Sequence, residues 1–372
     1  MTGGPAPGGF AATLRSSPYL ALSLAMIASN LAIIGYFSGE LDRLSRFYDG
    51  PLYMYVAKTL YWIPADHPFG ESLPASYFAS HLPLYPLLIR LGAFFTGGNY
   101  PWAMLAATLM TSIAAVCLFY KFLDVWAVVP DPLWTALVFI VLPSRWLIYH
   151  TVGATEPLFI SSIFAALIFY KQERPALLIL SVGLACLTRT TGILLVPVFG
   201  LLFVLRGEWR RAAAMPLAYA GMLALFAFFQ LRFGDVFVHF TWNVDGERML
   251  GSLPFSALSE TPNMHVVESF LALYFIYGIG TLSLREHRPL FVLSATFYLF
   301  TILVVHMDIS RFFFTLAPFS LLIGFNPIIE SRPFKWFFPV MVCLGYVYAL
   351  EYIPTNLLGE DTYAKLLEAL TS

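Results

Sequence analysis

The sequence predicts an all-α polytopic integral membrane protein, a bundle of about eleven transmembrane helices. The first observation is composition: 59% of the 372 residues are hydrophobic and only 12% are charged, about half the charged share of a soluble domain. The second is pattern, because apolar runs long enough to cross a bilayer recur along the chain with short polar linkers between them. A mean hydropathy of +0.75 agrees with both. Lipid is therefore the predicted solvent for most of this chain.

Each predicted span is a run of about 20 mostly apolar residues, the length that crosses a hydrocarbon core. The spans are 18–38, 101–123, 131–150, 156–171, 174–189, 191–207, 212–231, 265–284, 288–306, 311–329 and 335–353. They define a transmembrane domain over 18–353, preceded by a flexible cytoplasmic lead at 1–17 and followed by an outer tail at 354–372.

The loop at 39–100 is the first of two long loops, the second being 232–264. It contains the apolar stretch 82–96, which is too short for a span and carries Pro83 and Pro86. We expect this stretch, together with 50–63, to form helices lying at the membrane surface.

The distribution of charge predicts the orientation of these spans. With the N-terminus inside, the cytoplasmic side holds 11 of the 21 basic residues but only 6 of the 22 acidic ones. The short basic linkers "KQERP", "LRGEWRR", "LREHRP" and "ESRPFKW" all fall on that side, as the positive-inside rule requires. Counting 82–96 as a span would move most of them outside. Both long loops are therefore predicted to face away from the cytoplasm.

Several classes of function find no support in the sequence. The net charge of −1 argues against a nucleic-acid partner, which usually meets a basic face. There is no P-loop, no G-x-G-x-x-G after a strand, no D-x-D and no H-E-x-x-H motif, and nothing in the chain calls for a metal or another cofactor. The three cysteines lie within apolar runs and are predicted to be core residues rather than a disulfide framework.

Ionisable residues at the outer ends of apolar spans are the candidates for function. They are Arg145, Glu156, Arg189, Asp308 and Arg311, and the first outer loop adds Asp49 and His81. Such charges are costly near lipid, so they usually face a cavity or one another. The purely structural alternative is that Glu156 pairs with Arg189 or Arg145 and that the arginines only extend to the interface. Their presence together on one face favours a cavity.

A carboxylate beside arginines and a histidine suits one kind of chemistry. The acid can take a proton from an attacking hydroxyl as general base, and the cations can hold a departing phosphate. A sugar carried on a polyprenyl phosphate has both the phosphate and an apolar tail for the spans. Interfacial aromatics such as Tyr48 and Tyr53 could flank the sugar, although an ordinary aromatic belt explains most of them.

Short segments in a fixed order resemble a known family. The acid after the first span is followed by "HLPLYPLLIRL" (81–91), "LPSRWLIYHTVGATEPLF" (142–159), "LACLTRTTGILL" (184–195) and "FQLRFGDVFVHFTWN" (229–243), with a weaker match at "SRFFFTLAP" (310–318). Together they resemble the mannosyltransferases that add the second mannose to glycosylphosphatidylinositol anchors, and their prokaryotic relatives in particular. These enzymes belong to the GT-C superfamily of polytopic glycosyltransferases.

The resemblance implies a GT-C-type bundle with two interfacial helices in the first outer loop, and roles for individual residues. An aspartate in that loop, usually after Trp, is the base; it falls on Asp49, with Tyr48 in place of the tryptophan. The donor phosphate would meet His81, Arg189, Arg311 or Arg145. The residues implied to bind substrate or organise the site are Tyr48, Tyr85, Glu156 and Trp242. By analogy, the reaction inverts the anomeric centre in a single displacement.

The sequence supports three hypotheses of function. The first is a glycosyltransferase that transfers a sugar, predicted to be mannose, from a polyprenyl- or dolichyl-phosphate donor to a glycolipid, glycan or protein acceptor. The absence of disulfides and of N-x-S/T sites fits a prokaryotic plasma membrane, with the site on the extracytoplasmic side. The second is a transporter or flippase, which would be expected to show internal repeats and broken midplane helices. The third is an accessory subunit that has lost the chemistry.

Overall fold

The computed structural model describes residues 17–70, 73–246, 250–251, 253–261, 263–306 and 308–371, without the side chains of 244–246. Within these ranges the chain forms helices and no strand, and its only β-type pairings are two isolated antiparallel bridges, Phe47 to Leu357 and Leu250 to Val304. The predicted all-α class is confirmed. All but the last residue of the predicted flexible lead at 1–17 lies outside the described residues.

Five helices of the described chain are long and apolar enough to cross a membrane, judged by length and composition. They are Pro18–Tyr36, Tyr100–Trp126, Trp209–Phe233, Met264–Ser283 and Arg332–Thr355. Most of them start with a proline in the first turn, where the missing N–H costs nothing. The side chains of Asn99, Asn263 and Ser331 cap three of the N-termini by accepting a backbone N–H. The long apolar faces left exposed are the surfaces expected to meet lipid.

The other predicted spans contain helices that are shorter or interrupted. They are Pro132–Val141, Trp146–Tyr149, Glu156–Lys171, Pro175–Cys186, Thr190–Leu194, Leu195–Val204, Arg288–Thr301, Ile309–Phe313, Phe314–Leu316, Ala317–Ile323 and Asn326–Ile329. The predicted span 131–150 is broken at Pro143, and 311–329 changes from α to 3₁₀ to π geometry around Pro318. A 12-residue helix such as Pro175–Cys186 rises only about 18 Å. The number eleven therefore stays a prediction.

The first outer loop is largely helical. It contains Asp42–Arg46, Gly50–Thr59, the 3₁₀ turn Ala75–Ser80 and Leu84–Phe95. Helices thus lie at both stretches predicted to be interfacial, 50–63 and 82–96, although Thr59 ends the first of them earlier. Their position at a bilayer surface remains a prediction.

The second outer loop and the tail have short helices of their own. The loop holds Val238–Phe240, the π turn Thr241–Gly246 and Ser256–Glu260, and the tail holds Ile353–Thr355 and Glu360–Thr371. The tail packs on the first outer loop, so these two segments lie on the same side of the bundle.

Aromatic packing holds the centre of the bundle together. Phe119, Phe122 and Phe164 stack between the helices Tyr100–Trp126 and Glu156–Lys171, and all three rings are fully buried. At Gly280 the helix Met264–Ser283 approaches Ser320 so closely that a Cβ would lie 1.9 Å from its carbonyl oxygen. This close approach packs the later, π-helical part of 309–323, the segment that also carries Arg311, against the helix Met264–Ser283.

Candidate active site

Four helix ends bring the predicted charges together. Asp49 stands immediately before the helix Gly50–Thr59, and Glu156 is the first residue of Glu156–Lys171. Arg189 follows Pro175–Cys186, and Arg311 lies in Ile309–Phe313. Proline in the first turn of both acid-bearing helices sets where they begin. Asp49 occupies an N-cap position without a capping hydrogen bond, so its carboxylate is left for other partners.

The charges form one continuous chain of ion pairs. Both terminal Nη atoms of Arg311 donate to Oδ2 of Asp49, at 3.3 and 3.4 Å, while its Nε donates to Oε1 of Glu156 at 2.6 Å. Nη1 of Arg189 donates to the same Oε1 at 2.7 Å and to the hydroxyl of Thr155 at 3.1 Å. The order is therefore Asp49, Arg311, Glu156, Arg189. Two acids and two guanidiniums balance in charge, which burial beside lipid demands.

Asp49 and Glu156 differ in solvent exposure, although both belong to this series of ion pairs. The side chain of Asp49 is 25% exposed, and that of Glu156 only 3%. Burial disfavours ionisation of Asp49, but the His81 imidazole and the Arg311 guanidinium outweigh it, so the pKa of Asp49 lies below its ordinary value of 3.8. Asp49 is thus an ionised, accessible carboxylate, and Glu156 is the buried anion that holds both arginines.

A cavity of about 330 Å³ opens onto these four ion-paired residues. Its volume is at the lower end of the range for small-molecule sites. Asp49, Arg189 and Arg311 line it. Further polar lining comes from Tyr48, Tyr53, Tyr77, Ser80, His81, Thr155, Thr188, Thr190, Thr191, Asn243 and His306, and apolar lining from Leu82, Ile193, Phe240, Leu250, Phe300, Val304 and Phe312. Such a mixed lining can accept a molecule with a polar and an apolar part.

His81 lies beside the carboxylate. Its Nε2 is 3.9 Å from Oδ1 of Asp49, and its Nδ1 is 2.8 Å from the hydroxyl of Ser80. The ring of Tyr53 packs edge-on against it at 4.9 Å. His81 therefore lines the cavity beside Asp49, and its contact with a donor phosphate stays a prediction.

Arg145 does not line this cavity, contrary to the prediction that it contacts the donor phosphate. Its guanidinium pairs with the Asp308 carboxylate and donates to the hydroxyls of Ser310 and Tyr352, both at 2.7 Å. The ring of Tyr352 also covers it at 4.7 Å. With its donors engaged in this separate cluster, Arg145 ties the segment at 308–310 to the helix Arg332–Tyr352. It does not pair with Glu156 either.

The three predicted aromatic residues occupy different positions. Tyr48 lines the cavity, and its ring lies 4.7 Å from the Arg311 guanidinium in a cation–π arrangement. Tyr85 is fully buried behind the cavity, with its hydroxyl 2.6 Å from that of Thr108. Trp242 also stays outside the lining and packs edge-on against Tyr77, 5.5 Å between ring centroids. Tyr85 and Trp242 therefore do not line the cavity but pack against two residues that do, Tyr53 and Tyr77.

A hydrogen-bond relay at Thr190 was not predicted as part of the site. The Ala79 carbonyl can only accept, so the His239 Nδ1, 2.8 Å away, carries the proton. The Nε2 of the neutral ring then accepts from the Thr190 hydroxyl at 2.7 Å. Thr190 lines the cavity with its proton turned away, which leaves its oxygen as an oriented acceptor for a hydroxyl. The sequence offered a signal for it, since both residues lie in the quoted segments 184–195 and 229–243.

This relay predicts a pH dependence of stability. Burial, with a small contribution from His81, lowers the pKa of His239 to about 4, although its bond to Ala79 opposes the shift. Because the unfolded ring titrates near 6.5, stability is intact above that pH and falls as pH drops toward 4, by up to about 3 kcal/mol. Thermal unfolding between pH 7 and 4 measures the loss. His239→Gln should flatten this dependence, and an unchanged curve would contradict the assignment.

Groups of three or more metal-ligating side chains are not found among the described residues. In sequence, no known family and no curated protein matches this chain. A solved structure is similar in part: an Archaeoglobus fulgidus oligosaccharyltransferase, in complex with Zn and sulfate, with a TM-score of 0.49 and 12% identity over 93% of this chain. The chain spans about half (53%) of that structure's length. At this score and identity, the likeness assigns neither a family nor an activity to this chain.

Proposed function

We propose that this protein is a GT-C-type membrane glycosyltransferase. It transfers a sugar, which we propose to be mannose, from a polyprenyl- or dolichyl-phosphate donor to a glycolipid, glycan or protein acceptor. The observation that carries the proposal is the accessible, ionised Asp49 held by Arg311 in a cavity that Arg189 also lines. Its location would be a prokaryotic plasma membrane, with the cavity open to the extracytoplasmic side. The order of the sequence segments and the distribution of charge support that choice.

The two arginines have different roles in this proposal. Arg311 uses Nε and both Nη atoms on Asp49 and Glu156, so its work is to orient the base. Arg189 has only Nη1 engaged among the described residues, which leaves its Nε and Nη2 as donors for a phosphate. Its side chain is 19% exposed, against 10% for Arg311. We therefore assign binding of the donor phosphate to Arg189 rather than to Arg311.

The reaction is a single displacement. Asp49 accepts the proton of the acceptor hydroxyl as that oxygen bonds to the anomeric carbon of the sugar. The bond from that carbon to the phosphate oxygen breaks, and its electron pair leaves with the polyprenyl phosphate. Arg189 stabilises the charge that develops on the phosphate. The configuration at the anomeric carbon inverts, and the apolar lining at Phe300, Val304 and Phe312 suits the first isoprene units.

The test is transfer by purified protein in liposomes. Wild type and Asp49→Asn are each supplied with radiolabelled polyprenyl-phosphate mannose and a membrane lipid extract as acceptor source. Label that reaches the acceptor with wild type alone supports the proposal. If label crosses the bilayer unchanged, still on its carrier, the protein is a transporter and the proposal fails. A parallel series of donors carrying other hexoses tests the choice of mannose.

Replacing Arg189 by alanine should weaken donor binding. One charge-assisted hydrogen bond is worth about 1.5–3 kcal/mol, so the KM for the donor should rise roughly 10- to 100-fold. Arg189→Lys keeps the charge but loses the planar pair of donors, and should give an intermediate KM. Initial rates against donor concentration measure this. An unchanged donor KM in both variants would show that Arg189 does not bind the donor phosphate.

A further inference from the structure

We infer that the C-terminal segment 356–371 positions Asp49 for catalysis by clamping the three residues in front of it. This inference rests on the proposed function, because it gives the segment a role in the same reaction. The sequence predicts only that this segment belongs to an outer tail. In the fold it lies directly against the chain at 45–48, and the helix Glu360–Thr371 packs on the helix that Asp49 precedes.

The backbone contacts reach the residue next to the base. The N–H of Tyr48 donates to the carbonyl of Asn356 at 3.0 Å, and the N–H of Leu358 donates to the carbonyl of Arg46 at 2.9 Å. Phe47 and Leu357 form an antiparallel bridge between these two bonds. The tail thus adds a short strand-like pairing to a segment that has no other backbone partner of this type among the described residues.

The side chain of Arg46 strengthens the same junction. Its Nε and Nη2 both donate to the carbonyl of Leu358, at 3.0 and 2.8 Å. Its Nη1 contacts Asp42 at 3.0 Å and Glu360 at 3.2 Å. Arg46 is buried, with 8% of the residue exposed. A buried guanidinium fixed on both segments makes the junction rigid and specific in register.

The tail helix holds this junction in place through one apolar face. Tyr363, Leu366 and Leu370 repeat at helical spacing and are buried, while 364, 365, 367 and 368 are exposed and Ala369 is half-buried. Nζ of Lys58, near the end of the helix Gly50–Thr59, donates to the carbonyl of Leu370 at 3.1 Å. The tail therefore contacts the Asp49-bearing helix at its far end as well as before its start.

Backbone strain at Tyr48 explains why the base would need this support. Tyr48 has φ of 49°, a left-handed conformation that a bulky residue rarely adopts unless its surroundings impose it. The bond from its N–H to Asn356 is one such constraint, and Asp49 follows immediately. Releasing the tail would let Tyr48 relax and rotate the Asp49 carboxylate away from its position beside Arg311.

The test separates positioning from folding. Leu366→Asp places a charge on the buried face of the tail helix, and Leu367→Asp places the same charge on the neighbouring exposed position as matched control. A third protein ends at Thr355 and is assayed with and without a synthetic peptide of residues 356–371. Transfer from polyprenyl-phosphate mannose gives kcat and the donor KM for each.

We expect kcat to fall at least tenfold in Leu366→Asp and in the shortened protein, with the donor KM within about twofold of wild type and Leu367→Asp unaffected. The peptide should restore kcat in a saturable manner, and a peptide carrying Leu366→Asp should not. Wild-type kcat in Leu366→Asp, a change in KM alone, or no rescue by the peptide overturns the inference while leaving the proposed function intact. Absence of transfer by wild type instead overturns the proposed function itself.

Discussion

Asp49→Asn should lower the transfer rate by about 10²–10⁴-fold, the usual contribution of a general base. Asparagine keeps the size of the side chain and an oxygen for Arg311, so the geometry at the head of Gly50–Thr59 is retained. What it loses is the ability to accept the proton of the attacking hydroxyl. We therefore expect kcat to fall and the donor KM to stay near its wild-type value. Steady-state transfer in liposomes gives both constants.

The matched control is Asp66→Asn, an exposed carboxylate in the same outer loop that does not line the cavity. It removes an equal charge from the same side of the protein and should leave transfer unchanged. Asp66→Asn should unfold like wild type, whereas Asp49→Asn removes one charge of the ion pair with Arg311 and should lose some stability, less than Glu156→Gln because the side chain of Asp49 is 25% exposed. If Asp49→Asn and Asp66→Asn transfer sugar equally well, Asp49 is not the base.

The pH dependence of the rate gives a second readout on Asp49. Because the pKa of this carboxylate lies below 3.8, the group is ionised across the range in which a membrane enzyme is ordinarily assayed. Protonation of Asp49 should therefore reduce the rate only below about pH 4, and no loss between pH 8 and 5 should be due to it. A rate that falls with an apparent pKa near 6 would have to come from another group, and Asp49→Asn should leave that fall in place.

Most of the charged part of the site was predictable from sequence, for a physical reason. Charges are so expensive beside lipid that each one at the end of an apolar run stands out. Glu156, Arg189 and Arg311 were singled out that way and Asp49 by its place in the first outer loop, and the structure joins all four in one series of ion pairs. His81 followed from its place beside the same loop.

Which charges pair with one another was not predictable, because it depends on contacts between distant parts of the chain. Asp49 and Arg311 are separated by 262 residues. Nothing local distinguishes Arg311 from Arg145, yet Arg311 pairs with Asp49 and Glu156 while Arg145 binds Asp308 and Tyr352. The relay from Thr190 to His239 is equally non-local. Neutral polar residues also cost less near lipid, so they give a weaker signal than the arginines.

Helix count was the weakest prediction for a related reason. Hydropathy reports that a segment is apolar, and it does so whether the segment crosses the bilayer as one helix or packs as two short ones. Pro143 and Pro318 mark interruptions, since proline removes a backbone donor and favours a break. In a bundle interior the neighbouring helices satisfy the freed backbone groups, so such breaks are tolerated. The contact of the tail with the first outer loop was not predicted, because the residues that it joins lie some 310 positions apart.

Glu156→Gln should be the most destabilising conservative substitution at the site. Glu156 is buried and lies between two guanidiniums, with Nε of Arg311 at 2.6 Å and Nη1 of Arg189 at 2.7 Å from one oxygen. The amide retains an acceptor but removes the negative charge, which leaves two arginines facing Asp49 alone. Removing one partner of a buried ion pair costs about 3–5 kcal/mol. Thermal unfolding in detergent measures the loss, and transfer should fall as well because Arg311 then holds Asp49 less firmly.

The double variant Glu156→Gln/Arg189→Gln distinguishes charge balance from packing. It restores equal numbers of acids and guanidiniums, so it should be more stable than Glu156→Gln alone, although its donor KM should remain high. Asp124→Asn breaks the exposed pair with Lys121, whose side chains are 52% and 41% exposed, and should cost no more than about 1 kcal/mol. If the double variant is less stable than the single, Glu156 stabilises the fold through packing rather than charge. If the double variant regains stability, Glu156 acts by balancing the charge of the buried guanidiniums. Asp49 is then the carboxylate proposed to meet the substrate.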